Sequence, residues 1–453
     1  MKLFRLTVLI LVGLLSSPAH SADLLEVYKL ALQSDPLLRE ADAVKLAAME
    51  ARPQARSALL PQLGFNATRT DQGSDGTSAQ FGADGFFEIP INNDDDQTSL
   101  SVQLTQTLFR WDQWLSLRQA DKIVAQAEVD YSSAQQSLML RVATRYFDVL
   151  AARDGLESAQ ADKEAIARQL EQSETRFEVG LIAITDVQES RAAFDQAVAA
   201  EILAKRVLRT ARENLRELTG AIVQDLENPD TSLPLVKPDP ASEDAWVERA
   251  LEQNLSLVSS RLGVQIAKDA VGVQRADHLP TLDLVVNKNE FDSDGSRLNL
   301  MAGGLDDIAS DISSDSVQLQ LNIPIYSGGR TSSLVRQRVF EHRAARERLE
   351  RVARETERET RDAYLSVESD ISTIRAFEQA LASAETALQA TEAGFEVGTR
   401  TTVDVLNARR DLLSARTNLE RSRYDYIINL IRLKQAAGIL SNADLAQVNG
   451  WLN

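Results

Sequence analysis

Few side chains in this sequence could carry out catalysis. The 453 residues include three histidines, and only His278 and His342 lie beyond the first 21 residues. No phosphate-binding glycine loop and no nucleophile elbow is present, and the many carboxylates fall on helical faces and in polar stretches. The sequence therefore predicts a protein that is not an enzyme and needs no cofactor.

One short pattern resembles a metal site. Asp292-Ser-Asp294-Gly295 has the aspartate spacing that begins a calcium-binding loop. The glutamate that such a loop requires is not at its expected place, so we interpret the stretch as a solvated loop. The chain has no cysteine, which excludes disulfides, thiolate metal sites and a lipid-modified cysteine. No metal site is expected.

Residues 1–21 have the pattern of a secretory signal peptide. Lys2 and Arg5 precede an apolar run at 6–15, and small residues follow it. The run is shorter than the ~20 apolar residues of a membrane-spanning helix, so we predict cleavage after Ser21. A transit peptide or an N-terminal anchor is the alternative. An exported chain without cysteine is typical of the envelope of a Gram-negative cell.

Charge and hydropathy limit the partners. The net charge is -18, and the predicted signal peptide carries two positive groups and no acid, so the mature chain is near -20. A nucleic acid partner is not expected for so acidic a chain. Past the signal peptide, no segment approaches the length of an apolar membrane-spanning helix, so entry into a bilayer would require β-strands.

The chain repeats itself at a spacing of about 218 residues. Arg-Phe-Glu-Val-Gly at 176–180 recurs as Gly-Phe-Glu-Val-Gly at 394–398. Other matching landmarks keep their order at nearly the same offset: Ala31 with Ala250, Pro61 with Pro280, Phe109 with Tyr326, and Asp186 with Asp404. The sequence therefore predicts an internal duplication.

The repeat divides the chain into five predicted segments. They are a signal peptide at 1–21, a first repeat at 22–220 with a hairpin tip near 178–186, a linker or equatorial segment at 221–241, a second repeat at 242–437 with a tip near 396–404, and a C-terminal equatorial segment at 438–453. Each repeat is predicted to contain a helix, two strands and a long helical hairpin. The first helices are expected at 24–56 and 246–275, ending before a Leu-Pro pair.

Alternating apolar and polar residues predict the strands. The clearest alternation lies around Leu100 to Leu104 and Val317 to Leu321, with less regular partners at 63–70 and 282–289. Between the paired strands, 71–98 and 292–315 are rich in Gly, Ser, Asn and Asp. We predict that these two stretches are exposed loops.

Long helices follow the strands. No proline interrupts 113–177 or 331–395, and each run would be roughly 100 Å long as an unbroken helix. A helix of that length predicts a coiled coil or a helical barrel. The returning helices show a three-four spacing of small and large residues, which Glu201 interrupts in the first repeat.

Four strands are too few to close a barrel, and an open sheet edge in lipid leaves backbone groups without partners. Two chains would give a barrel filled by side chains, whereas three or more would leave a lumen. A water-soluble sheet is the alternative. Aromatic residues at the strand margins favour the membrane: Phe65, Phe109, Trp111, Trp114 and Tyr326.

Several stretches together resemble the TolC family of outer-membrane efflux and type I secretion channels, also called outer membrane factors. They are Ala-Leu-Gln-Ser-Asp-Pro at 31–36, Leu-Leu-Pro-Gln-Leu-Gly at 59–64, the 176–188 stretch, His-Leu-Pro-Thr-Leu-Asp-Leu at 278–284, Pro-Ile-Tyr-Ser-Gly-Gly at 324–329, Val-Gly-Thr-Arg-Thr-Thr-Val-Asp-Val-Leu at 397–406, and Arg-Tyr-Asp-Tyr-Ile-Ile-Asn at 423–429. The resemblance covers essentially the whole mature chain.

The resemblance implies a mainly α fold with membrane β-strands. Three chains would form an α-helical barrel in the periplasm, continuous with a shared twelve-stranded transmembrane β-barrel in the outer membrane, four strands per chain. The implied partners are a periplasmic membrane-fusion adaptor, an inner-membrane transporter of RND, ABC or MFS type, and outer-membrane lipid. The implied function is the export of drugs, small molecules or proteins across the periplasm and the outer membrane.

The resemblance also implies site residues at the hairpin tips. A periplasmic gate would include Thr185, Asp186, Phe395 and Arg400, with Arg400 bonded to Thr185 and Asp186 of the facing tip. Asp404 would form a three-fold carboxylate ring in a constriction that includes Asn407. The adaptor would dock on exposed tip residues: Val179, Gly180, Leu181, Val397, Gly398 and Thr399. By residue type alone, Arg400 and Asp404 would be a solvated charge and a carboxylate near a helix N-terminus.

Two positions depart from the family pattern. Phe395 stands where the family has a tyrosine, so one hydroxyl of the gate is missing. Asn407 stands where the family has a second aspartate, so one of two acidic rings is neutral. We therefore expect fewer polar contacts in the closed state and weaker block by cations. A periplasmic coiled-coil adaptor is the alternative function, although it would carry one hairpin, and this chain predicts two.

Overall fold

The computed structural model describes residues 22–82, 85–223, 225–228, 233–299 and 304–452. The predicted signal peptide at 1–21 lies outside the described residues, as do parts of the linker at 221–241. The elements in chain order are α1 (Leu24–Ser34), α2 (Pro36–Met49), α3 (Ala51–Ser57), β1 (Gln62–Gly82), β2 (Gly85–Phe109), α4 (Trp111–Glu178), α5 (Ile184–Thr219), α6 (Glu243–Gln253), α7 (Leu255–Ala276), β3 (Thr281–Asn299), β4 (Gly304–Asn322), α8 (Arg330–Glu396), α9 (Thr402–Ala436) and α10 (Asn442–Asn449). In both halves, short helices precede two strands, and a long helix with a shorter returning helix follows them.

The first helix of each repeat is interrupted, whereas the sequence predicted it to be continuous. Pro36 has no backbone N–H, so α1 ends before it, and the Asp35 carboxylate accepts a hydrogen bond from the Leu38 amide at 3.0 Å. In the second repeat, the Asn254 side chain accepts from the Leu257 amide at 3.0 Å between α6 and α7. The two caps occupy equivalent places in the two halves of the chain, so the interruption belongs to the repeat.

The long helices match their prediction closely. Helix α4 has 68 residues and α8 has 67, and both contain no proline. Their sequences consist mainly of strong helix formers, which explains their continuity. Within the part of the chain that the structure describes, no helix has both the length and the apolar character needed to cross a membrane.

One compact unit comprises the described parts of 1–43, 129–258 and 351–453. Its core brings aromatic residues of α4 and α9 together, with the Phe147 and Tyr424 rings stacked at 5.7 Å. The Tyr426 hydroxyl donates to the Val236 carbonyl and accepts from the Val236 amide, both at 2.9 Å. The core therefore holds the segment around Val236, which belongs to the linker between the two repeats. The C-terminal segment packs on the same unit, where Lys434 pairs with Asp444 at 2.6 Å.

The other unit comprises 44–128 and 259–350. Its four strands form one antiparallel sheet in the order β1-β2-β3-β4. Strands β2 and β3 join the two repeats, with Leu104 opposite Val286. Strands β1 and β4 are the two edges of this sheet, and they carry exposed apolar side chains that include Leu63, Phe65, Val317 and Leu319. Such edges need a further strand on each side.

The predicted loops at 71–98 and 292–315 are wrong. Strands β1 and β2 continue through the first stretch to Gly82 and Gly85, and β3 and β4 continue through the second to Asn299 and Gly304. The stretch from Asp292 to Gly295 therefore lies in β3, where Gly295 is opposite Asp95. Polar side chains do not prevent pairing, because the strand ladder is held by backbone hydrogen bonds.

Glu201 explains the charged interruption of the first-repeat coiled coil. Its buried carboxylate on α5 accepts from the Nζ of Lys163 at 2.7 Å and from the Nζ of Lys205 at 2.6 Å. These two hydrogen bonds hold the pKa of the Glu201 carboxyl well below its usual range, at about 2. Leu419 takes the equivalent place in the second repeat and is also buried. The two hairpins thus fill the same position by different means.

Glu201→Gln is expected to lower the thermal unfolding midpoint at pH 7, because it leaves two lysines facing a neutral group. The folded pKa is depressed, so the stabilisation is complete above the unfolded pKa of about 4.3 and is lost as pH falls towards 2. The difference between variant and wild type should therefore shrink below about pH 4, measured by circular dichroism. Glu213→Gln, which removes an exposed partner of Arg216, is the control. A difference that stays constant from pH 7 to pH 3 would contradict this account.

Candidate functional site

The two hairpin tips share one backbone turn. Gly180 and Gly398 both have φ of +77°, a left-handed conformation that glycine adopts without steric cost. In the first tip the Leu181 amide donates to the Arg176 carbonyl at 2.8 Å, and in the second the Thr399 amide donates to the Gly394 carbonyl at 2.8 Å. The glycines at these two positions are therefore required by the turn.

The predicted docking residues are exposed on these turns. Val179 is 67% exposed, Leu181 is 73% exposed and Val397 is 75% exposed, and Thr399 is also exposed. Each tip thus presents apolar side chains to its surroundings, which is typical of a surface that binds a partner.

Each returning helix begins with a carboxylate that caps its own first turn. Asp404 accepts from the amide of Thr401 at 2.9 Å and from the Thr401 hydroxyl at 3.0 Å. The Thr401 hydroxyl in turn accepts from the Asp404 amide at 3.2 Å, which completes a capping box. Asp186 accepts more weakly from the Ala183 amide at 3.3 Å. The local role of Asp404 at a helix start is therefore realised within one chain.

The capping contacts also keep Asp404 ionised. The hydrogen bonds from the Thr401 amide and hydroxyl, followed by the charge of Arg400, hold the pKa of this carboxyl below its usual value. Asp404 is only half-buried, so its charge can still act on ions outside the chain. Asn407 follows one turn later on the same face of α9 and is exposed.

Arg400 lies against the end of α8. A Cβ atom at Gly394 would come within 2.7 Å of the Arg400 Cγ and within 3.2 Å of the Thr399 Oγ1. The Gly394 carbonyl accepts from the amide of Arg400 at 3.2 Å and from the Thr399 hydroxyl at 3.0 Å. The Arg400 side chain can therefore lie against α8 because residue 394 has no Cβ atom.

Arg400 does not reach the other predicted gate residues within its own chain. Among the described residues, the structure contains no hydrogen bond or ion pair between Arg400 and either Thr185 or Asp186. Thr185 and Arg400 are exposed, and Asp186 is half-buried.

Phe395 contacts a cation from the other hairpin. The Cζ of Arg176 lies 4.7 Å from the centre of the Phe395 ring, and both side chains are half-buried. This geometry is that of a cation–π contact. The aromatic ring at 395 therefore has a partner although the tyrosine hydroxyl is absent.

Matching ion pairs hold each hairpin just below its tip. Glu174 on α4 pairs with Arg191 on α5 at 2.7 Å, and Glu392 on α8 pairs with Arg409 on α9 at 2.5 Å. The glutamate and the arginine have the same separation along the chain in both pairs, and the two pairs occupy equivalent positions of the two repeats. We call these two pairs the hairpin clasps.

Sequence reasoning did not find Arg176, Gly394 or the hairpin clasps. A signal for the clasps existed, because a Glu and an Arg with one fixed separation recur at the repeat spacing. The repeat also pairs Arg176 with Gly394, and a position that changes from arginine to glycine between two matching tips indicates a difference in role.

Comparison with known proteins gives a consistent result. Residues 27–221 and 246–439 match the model of the family described as outer membrane efflux protein. The chain is 39% identical over 455 residues to the outer membrane protein TolC of Vibrio cholerae, covering 100% of this chain and 98% of the relative. It is 32% identical over 437 residues to the alkaline protease secretion protein AprF of Pseudomonas aeruginosa, covering 96% and 88%.

A solved structure supports the fold independently. The crystal structure of the outer membrane protein VceC from Vibrio cholerae superposes with a TM-score of 0.74 over 92% of this chain and 96% of that chain. The identity in this comparison is 20%, so the likeness concerns the fold alone.

Proposed function

This chain belongs to the outer membrane efflux protein family, and we propose that it is the exit duct through which a tripartite pump delivers small molecules or proteins to the outside. It is an outer-membrane channel with a helical extension into the periplasm, and channels of this family act as trimers. The protein transports and does not catalyse. The alternative of a periplasmic adaptor is wrong, because both halves match the channel family.

The observation that carries the proposal is the four-stranded sheet with two unpaired edges. Strand β1 of one chain can pair with β4 of the next, which would close a twelve-stranded barrel from three chains and leave no edge in lipid. Aromatic residues at the helix end of the sheet support a membrane boundary there: Phe65, Phe109, Trp111, Trp114 and Tyr326 are all exposed.

The proposed segments of the chain are a signal peptide at 1–21, repeats at 22–220 and 242–437, and equatorial segments at 221–241 and 438–453.

The hairpin tips would form a periplasmic gate, in which Arg400 of one chain bonds Thr185 and Asp186 of the facing tip. Three copies of Asp404 would form a carboxylate ring.

The same tips would dock a membrane-fusion adaptor and, through it, an inner-membrane transporter. The exposed apolar residues Val179, Leu181 and Val397 support this assignment, because tips without a partner would leave these side chains in the water of the periplasm. The relatives' names refer to both efflux and protease secretion, so the proposed cargo includes small molecules and proteins.

A deletion strain tests the proposed function. Loss of the gene is expected to sensitise cells to detergents and dyes or to abolish the secretion of an extracellular protein, and expression of the chain should restore the lost activity. Fractionation should place the chain in the outer membrane. A deletion that changes neither drug sensitivity nor secretion would overturn the proposal, and the readout that responds identifies the cargo.

A further inference from the structure

The Arg176–Phe395 contact joins the two hairpins of one chain. Arg176 lies two residues before the end of α4, and Phe395 lies one residue before the end of α8. The guanidinium carbon is 4.7 Å from the ring centre. Among the described residues, the Arg176 side chain has no carboxylate partner, so the aromatic ring is the group that it engages.

Because of the hairpin clasps, the Arg176–Phe395 contact opposes the separation of one whole hairpin from the other. Glu174 and Arg191 fasten α4 to α5, and Glu392 and Arg409 fasten α8 to α9. Glu174 is two residues from Arg176, and Glu392 is three residues from Phe395. Each hairpin is thus held together next to the contact, so a movement that separates the hairpins must break the Arg176–Phe395 contact first.

The two repeats differ at this point. Phe177 is equivalent to Phe395, and Gly394 is equivalent to Arg176. Phe177 is 41% exposed, and no cation lies on its ring within the described part of the chain. The contact therefore occurs once per chain and is not a consequence of the repeat itself.

We propose that Arg176 and Phe395 form a latch that holds the two hairpins of each chain together in the closed channel. The proposal rests on the proposed gate at the hairpin tips. Opening moves one hairpin away from the other. The Phe395 ring then leaves the Arg176 guanidinium group, and water takes the place of the ring. The latch replaces, by a cation–π contact, the polar contact that a tyrosine hydroxyl would make at 395.

Conductance in planar lipid bilayers tests the latch. Arg176→Gln and Phe395→Leu are each expected to raise the open-to-closed ratio about twofold to fivefold, the range of one exposed cation–π contact. Arg176→Lys and Phe395→Trp keep a cation and a ring, so they should stay near wild type. Phe177→Leu removes the equivalent phenylalanine without a cation and should not change the open fraction.

Cross-linking separates the latch from the gate. Because the chain has no cysteine, the double variant Arg176→Cys with Phe395→Cys can be joined specifically by a short bis-maleimide. In the triple variant that also carries Arg400→Ser, the channel should be open without the cross-linker. The same channel should be closed once the cross-linker joins the two hairpins. Full opening after cross-linking would overturn the latch. If Arg400→Ser does not open the channel at all, the proposed gate fails, and the response of Arg176→Gln alone then decides whether the hairpins move.

Discussion

Gly394→Ala is expected to open the closed channel to nearly the same extent as Arg400→Ser. An alanine Cβ would meet the Arg400 Cγ at 2.7 Å, so the arginine must leave the position from which it would bond the facing tip. A hydrogen bond to a charged group contributes about 1.5–3 kcal/mol, so its loss should raise the open-to-closed ratio by about tenfold or more. Single-channel recording measures this ratio.

Stability provides the contrast that makes this prediction specific. Alanine favours a helix over glycine by about 1 kcal/mol, so Gly394→Ala should not lower the unfolding midpoint even though it opens the channel. Gly263→Ala is the matched control, because its new Cβ would lie at an ordinary 3.5 Å from Gln126. If Gly394→Ala conducts like wild type while Arg400→Ser opens, then Gly394 does not position Arg400. If Arg400→Ser also leaves conductance unchanged, the arginine does not lock the gate.

Asp404→Asn is expected to abolish block by trivalent cations, with the inhibitory concentration raised at least about tenfold. Three carboxylates at one constriction attract a trivalent ion far more strongly than three amides do. Asparagine is also a good helix cap, so the variant keeps a hydrogen-bond acceptor for the Thr401 amide at the start of α9. Titration of the blocking ion against open-channel current measures the effect.

The pH dependence of the block follows from the same contacts. The hydrogen bonds from Thr401 lower the pKa of Asp404, so its carboxylate stays charged at pH values where an ordinary aspartate begins to protonate. Block should therefore be constant from pH 7 to pH 5 and weaken only below about pH 4.

Two further variants separate the carboxylate ring from general charge. Asn407→Asp adds a second ring one turn along α9, so it should tighten the block. Asp195→Asn removes one exposed acid elsewhere on α5 and should leave the block unchanged. Block that survives Asp404→Asn at the wild-type concentration would show that the ring lies at other residues.

The sequence alone predicted the features that depend on local pattern. The duplication is visible because motifs recur at a nearly constant spacing, and the 68-residue and 67-residue helices follow from long runs without proline. The tip glycines were visible as part of the duplication, since Gly180 and Gly398 close the matching stretches at 176–180 and 394–398. Period and backbone conformation are properties of neighbouring residues, so they can be recognised along one chain.

The full length of the paired strands could not be predicted from local sequence pattern. The polar stretches at 71–98 and 292–315 have the composition of loops, yet they lie in strands because each has a partner in register. The stabilisation of a strand resides in the hydrogen bonds to its neighbour, and composition alone does not contain that information.

Only the tertiary structure decided the contacts at the tips. Arg176 and Phe395 lie in different repeats of the chain, and nothing in either local sequence specifies that guanidinium group and ring meet. Glu201 is by residue type expected at the surface. It is buried because Lys163 on another helix pairs with its carboxylate. Such contacts depend on how separate helices pack, and a helix of any sequence can present the same side chain to water or to a partner.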